Sequence, residues 1–439
     1  MVREPHVDRG DAMSRRAFLR RAGAAGIALP SLAAIAAACG TDVPSELDTT
    51  ADETGANPFG LGGVDGASYP LARPTAPVTW NLDEAQLVAS DAKHERNATV
   101  KILRWPNYLA PSVISSFEQR YGCTVEETEF TDMDKGLAKL DAGDDDYDVL
   151  VGMSVWALGR SIAGGLLRPL NLDLVPNLSA NCWDSFQSPF YDVGSLYSVP
   201  YSVWSTGIFW RNDKVTTDIA KMDNPYDVFW TEAPVNKTHL LANAQDVLAM
   251  AMFRAGLTEV NDVDEQAVAK AKSSIAEIVS ATNASFDHDD YLELPKGAAW
   301  LHQSWSGNVS DAFVFLPAGD QAENLSYVWP VDSGVPGNVD NDLLVVLNSG
   351  KAPVLAHLLL DHILDVDNAM RNFSTWTGSQ MPQKTMTPEA LVDAGLAPTH
   401  LANVFLDESD MDRGSRELEL PAAMDAVWQS AYAELRAGI

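Results

Sequence analysis

Aromatic rings gather where segments of this chain change direction. Trp105 and Tyr108 lie in Trp105-Pro-Asn-Tyr108, just past an alternating apolar run, and Trp156 follows a later one. Trp204 closes Tyr197-Ser-Val-Pro-Tyr201-Ser-Val-Trp204, and Trp305 lies in Gln303-Ser-Trp-Ser-Gly-Asn308. A ring face can stack on an apolar chain and attract a cation. Any single Trp could equally fill a core, but four at loop or strand-end positions point to one shared surface. Bond-breaking chemistry is not suggested by any motif. There is no phosphate-binding Gly loop, no nucleophile elbow and no metal-type histidine pair. His357 and His362 are five apart on one expected helix, so they point about 140° apart. Asp287-His288-Asp289-Asp290 could grip a metal, but a cluster of this kind is more often a solvated loop. No metal and no cofactor is expected, and the chain reads as a non-enzyme. Cys123 and Cys182 could pair in an oxidising compartment or remain thiols; their spacing does not decide.

Alternating strands and helices must position these rings. Thr99–Arg104 alternates as a strand, and Val113, Ile114, Phe117 and Tyr121 form one stripe of a helix over 111–121. A second strand is expected at 123–130, a short helix at 134–140 and a buried strand at 147–151. An apolar run at 205–210 reads as a strand, and Val268, Ala271, Ile275, Ile278 and Val279 mark a helix. A buried strand is expected at 343–347, with helices at 353–364 and 421–435, each opening near a Pro. Strands alternating with helices imply an α/β fold with a parallel sheet. No internal repeat is present.

Composition narrows the partners. The chain has 439 residues, 46% of them apolar and twelve of them Trp, which is enough to bury cores in two or three domains. Thirty Lys and Arg stand against 61 Asp and Glu, a net charge of −31 that repels nucleic acid and anionic lipid. Three cysteines exclude a disulfide scaffold and a Cys-rich zinc module. The first forty residues read as an address. Ser14-Arg15-Arg16-Ala17-Phe18-Leu19-Arg20 is a twin-arginine export pattern, with Arg15 and Arg16 as its signal. An apolar Ala-rich run over 22–38 ends at Ala36-Ala37-Ala38-Cys39, where lipoprotein processing would leave a lipidated Cys39. Residues 1–38 hold six Arg and three acids, so the exported body is more acidic than the whole chain. Residues 39–97 read as a flexible tether, with an extended Pro-bearing segment over 69–82.

Taken in order, the motifs of the body resemble those of the spermidine/putrescine-binding proteins of bacterial ABC importers. The resemblance runs from about Thr99 to the C-terminus. It rests on the opening strand with Trp105 and Tyr108, on Lys139-Leu-Asp-Ala-Gly-Asp-Asp-Asp-Tyr147-Asp148-Val-Leu-Val151, on Tyr197-Ser-Val-Pro-Tyr201, on Trp305-Ser-Gly, and on Asp342 before an apolar run. It implies an α/β, two-lobed periplasmic-binding-protein fold with crossover hinge segments and a ligand cleft between lobes. The implied N-lobe is 98–207 plus 342–384, and the C-lobe is 208–341 plus 385–439. Implied ligand contacts are Trp105, Tyr108, Trp156, Trp204, Asp246, Trp305 and Asp342. Asp340 stands where the family has Trp and is expected to join Asp342 as a ligand-binding acid; Asn243 stands where the family has an acid, and Ser379 where it has Tyr.

Rings for a methylene chain and carboxylates for ammonium ends would suit a polyamine such as putrescine or spermidine. The implied partners are that small cation and ABC permease subunits, with the protein monomeric and lipid-anchored at the outer face of the cytoplasmic membrane. The same frame would serve another amine, an amino-acid-like or sugar-like solute, a sensor, or a secreted enzyme.

Overall fold

The computed structural model describes residues 69–143, 146–377 and 379–438; Arg15, Arg16 and Cys39 lie outside these. Among the described residues nine strands form one sheet: β1 (Thr99–Arg104), β2 (Thr124–Glu129), β3 (Val149–Ser154), β4 (Ser198–Arg211), β5 (Thr238–Leu241), β6 (Ser285–Asp287), β7 (Leu301–Trp305), β8 (Leu325–Val328) and β9 (Val339–Val346). Their order is β2-β1-β3-β9-β4-β7-β5-β6, with β8 on β4. β1, β2 and β3 are parallel, as are β5, β6 and β7. β9 and β4 run antiparallel between these two sets and join them. Each lobe is thus a small parallel sheet, and β4 and β9 are the crossover strands.

Burial explains which run became which strand. β3 is apolar along most of its length and packed on both faces, as an inner parallel strand must be. β2 carries one Val among Thr and Glu residues and sits at the edge, where charge blocks further pairing. Helices cover both faces of the first set. On one lie α1 (Pro111–Tyr121) and, further along the chain, 353–363; on the other lie 133–141 and 155–163. We label these later helices α2 (Met133–Asp141), α3 (Val155–Ala163) and, after α4 (Ala244–Arg254), α5 (Glu265–Thr282) and α6 (Ser306–Ala312), α7 (Pro353–Ile363), α8 (Val366–Asn372) and α9 (Ala422–Ala437). α4, α5 and α9 pack together over β5 and β7 around Leu240, Val247, Ile275, Leu301 and Trp428. Along β4, Ile208 and Trp210 face that core and Phe209 the opposite one, the two-residue period of a strand buried on both sides.

Three elements differ from sequence expectation. The 205–210 strand extends back to Ser198, because Ser198–Pro200 and Val203–Ser205 pair with β9 across a bulge. Trp204 is therefore mid-strand and not at a strand end. The strand expected at 343–347 begins at Val339, so Asp340 and Asp342 lie within it, both buried. Trp156 belongs to α3, a helix whose apolar stripe continues directly from β3.

Residues 69–97, assigned to the tether and its extended segment, lie against the body. Val78 N–H donates to the Phe190 carbonyl, the Trp80 indole to the Tyr191 carbonyl, and the Glu95 carboxylate accepts from the first turn of α7. Cys123 and Cys182 are both free thiols.

Candidate functional site

The first group of expected residues assembles on the N-lobe. Trp105 and Tyr108 fold back over Gly152 of β3, and the Trp105 indole donates to its carbonyl at 2.8 Å. A Cβ at Gly152 would stand 2.6 Å from both rings, and its φ of +89° is one that L side chains rarely adopt. Only glycine lets the rings approach. The Tyr108 hydroxyl donates to Asp342 Oδ2 at 2.6 Å, and Ser202 adds a longer bond at 3.4 Å. Tyr108 is itself held through its carbonyl by the Tyr201 hydroxyl and the Asn372 amide. Asp342 faces Ser154 across the β3–β9 pairing. Burial pushes its carboxyl up to about 7; Tyr108 pulls the other way and Asp340 adds repulsion.

A second group assembles on the C-lobe. Asn243 caps α4 by accepting from the Asp246 N–H at 3.1 Å. The Asp246 side chain is meanwhile free to turn inward. It accepts from Thr206 at 2.9 Å and from the Trp305 indole at 3.0 Å. His288 stacks on Trp305, with centroids 4.8 Å apart and planes within 15°. Burial lowers His288 to about 4, so it presents a neutral ring at neutral pH.

A row of acids connects the groups. Asn338 Nδ2 reaches both Asp246 (3.5 Å) and Glu417 (3.1 Å), and Glu417 N–H donates to Asp340 at 2.9 Å. Asp340 and Asp342 are neighbours on β9. Burial raises all four carboxyls, Glu417 most clearly because Asp246 and Asp340 press on it. Among the described residues only Arg416 pairs with the row, through Asp340 at 3.2 Å, and it also bonds Asn341. Asp340 thus has its counter-ion within the protein, whereas Asp246, Glu417 and Asp342 have none in the described part.

Trp156 and Trp204 are placed differently. The Arg160 guanidinium lies 5.0 Å from the Trp156 ring and occupies one face. Trp204 is half-buried opposite Asp340 on β4. Among the described residues no hydrogen bond or ring pair ties either to the two groups. Glu417 and Arg416 were not identified from sequence, since neither sits in a recognisable motif, and His288 was noted only within the Asp287–Asp290 cluster. Tyr201 and Ser202 lie in the 197–204 segment, which could have revealed them. His357 and His362 are apart, as expected: the first is bonded by Asn171 and the Pro353 carbonyl, the second by Ser116. Asp287 is not a solvated loop residue but the end of β6, between His239 and His302.

Two parallel half-sheets joined by two antiparallel crossing strands, with an acid row at the junction, define a two-lobed solute-binding protein and not an enzyme. The bacterial extracellular solute-binding protein family matches residues 112–395, and this chain belongs to it. Among curated proteins, the putrescine/cadaverine-binding protein of Pseudomonas aeruginosa is 26% identical over 351 residues, covering 78% of this chain and 96% of the relative. The putrescine/agmatine-binding protein of the same organism is 23% identical, covering 63% and 76%. Among solved structures, the spermidine/putrescine ABC transporter substrate-binding protein of Streptococcus pneumoniae superposes with a TM-score of 0.63 at 19% identity. That superposition covers 78% of this chain and 99% of the other.

Proposed function

We propose that this chain is the extracytoplasmic solute-binding lipoprotein of an ABC importer, capturing polyamines of the putrescine and spermidine type for a membrane permease. One observation carries the reading: two buried carboxylates, Asp342 and Asp246, and the half-buried Glu417 beside Asp246 have no cationic partner among the described residues, with Tyr108 bonded to Asp342 and Trp305 to Asp246. Buried carboxylates of this kind call for a cation. Asp342 with Tyr108 and Trp105 would hold one ammonium. Asp246 and Glu417 beside Trp305 would hold the other, with Trp204 flanking the methylene chain. Asp340, paired with Arg416, supports the row from behind. An amino-acid-like solute would need a cation for its carboxylate, and Arg416 is already committed. The names of the P. aeruginosa relatives, for putrescine with cadaverine or agmatine, agree with a diammonium ligand. Export through Arg15 and Arg16, a lipid anchor at Cys39 and a monomeric state complete the proposal.

Titration calorimetry of the purified protein against putrescine, cadaverine, spermidine and a neutral sugar panel tests it. Amines are expected to bind and sugars not, with Asp342→Asn weakening amine binding by about 2–5 kcal/mol. Sugar binding without amine binding would overturn the reading.

A further inference from the structure

Behind Trp305, three residues far apart in sequence converge. His239 on β5 and His302 on β7 are register partners in the parallel pairing of those strands, with ring centroids 5.4 Å apart. Asp287 ends β6, on the other side of β5. Its Oδ2 lies 2.8 Å from His239 Nδ1 and its Oδ1 lies 3.1 Å from His302 Nε2. One ligand atom from each of the three falls within 4.8 Å of the others.

The protonation of His302 is constrained by its other nitrogen. Nδ1 faces the Gln303 carbonyl, which can only accept, so Nδ1 carries a proton. In the neutral ring Nε2 is then a bare lone pair aimed at a carboxylate oxygen. Two lone pairs cannot face each other in a buried site without a cation between them. That cation is either an added proton or a metal ion. Ligating histidines characteristically donate their second N–H to a backbone carbonyl, which fixes the tautomer that binds. His302 already has this arrangement.

We infer that His239, Asp287 and His302 form a site for a divalent first-row transition ion, with zinc the best fit. Two imidazoles and one carboxylate suit zinc; calcium and magnesium prefer all-oxygen sets. Tetrahedral ligation at zinc–nitrogen and zinc–oxygen lengths puts ligand atoms about 3.3 Å apart, so the two carboxylate–imidazole spacings need to open by about half an ångström or less. His302 is fully buried and anchors the inner side. The His239 and Asp287 side chains are 12% and 24% exposed, leaving a route for the ion and a position for water. The ion would tie together the three parallel C-lobe strands. It would also stiffen the wall of the binding junction, because Asp287 precedes His288, which stacks on Trp305, three residues after His302.

The site is tested on the whole exported protein, stripped with chelator and titrated with Zn²⁺ in excess Mg²⁺ to occupy surface acids. Co²⁺ absorption serves as a spectroscopic probe of imidazole ligation. The expected result is one equivalent of zinc for wild type and for His400→Gln, with binding at least about tenfold weaker in His239→Gln. His239 lies near the surface, so His239→Gln leaves the buried anchor intact, and its circular dichroism melt confirms folding. Equal zinc affinity in wild type and His239→Gln would overturn the inference. So would zinc uptake absent from the wild type, which would leave a proton between the rings and the carboxylate.

Discussion

The buried carboxyl of Asp342 makes ligand affinity depend on pH in a direction that can be worked out. In the free protein burial holds this group up to about 7, from an ordinary 3.8. An ammonium beside it would stabilise the ionised form and pull it down again. Binding below pH 7 therefore has to expel a proton, and affinity falls as pH falls. At pH 5.5 only a few per cent of Asp342 is ionised, so the dissociation constant should rise about 30-fold between pH 8 and pH 5.5, roughly 2 kcal/mol. A primary ammonium keeps its charge throughout. Calorimetry of putrescine binding at several pH values, in two buffers of different ionisation enthalpy, reads both the slope and the proton release. Asp342→Asn should flatten the component due to this residue. It should also raise the melting temperature of the ligand-free protein at pH 8. An acid whose folded value is raised destabilises the fold above that value and not below the unfolded one. A dissociation constant constant within about twofold over this range, or the same slope in Asp342→Asn, would refute the reasoning.

Three further outcomes follow from particular contacts. Glu419→Gln leaves Arg160 buried without its 2.9 Å partner and frees the Tyr69 hydroxyl from the same carboxylate. Urea unfolding should show a loss of about 3–5 kcal/mol, and a loss as small as an exposed pair's, below about 1 kcal/mol, would mean the pair is solvated. Gly152→Ala should displace Trp105 and Tyr108, destabilise the fold by about 1–3 kcal/mol, and weaken amine binding more than Gly122→Ala, where the added methyl meets nothing. Cys39→Ser should release the protein from membranes, and its persistence in the membrane fraction after a salt wash would exclude a lipid anchor there.

What the sequence revealed was local. The stripe of Val113, Ile114 and Phe117 and the apolar run ending at Val151 each carry their element within a few residues, and both are where periodicity put them. The 147–151 run begins slightly early: β3 starts at Val149, while the Asp148 carboxylate accepts from the Lys101 and Ala352 N–H groups. Trp105, Tyr108 and Asp342, 237 positions apart at the extremes, are joined only by the crossing of β9 beside β3. Resemblance to a known family, and not spacing, brought them together. Glu417 and Arg416 had no such help. They reach the row because the segment before α9 passes beside β9, a tertiary fact without local periodicity. The same holds for His239, Asp287 and His302. Each looks ordinary in its own neighbourhood, and parallel pairing of β5, β6 and β7 alone makes them neighbours.

The acidity of the chain and the charge of its ligand are separate questions, and composition cannot divide them. Among the described residues most acids are not buried, and salt screens them beyond about 8–10 Å, so they shape the encounter with a cation and little else. The acids at the crossing strands are different in kind. Asp246, Asp340 and Asp342 are each at most 5% exposed, in surroundings where counter-ions do not follow. They are carried by different lobes: Asp246 opens α4 on one, and Asp342 faces β3 on the other. A diammonium ligand spanning them would attract both sides at once, so the same acids that select the solute would also favour closure of the lobes around it. Added salt should then slow association by screening the surface acids, while the dissociation rate of the amine held at the buried acids changes little.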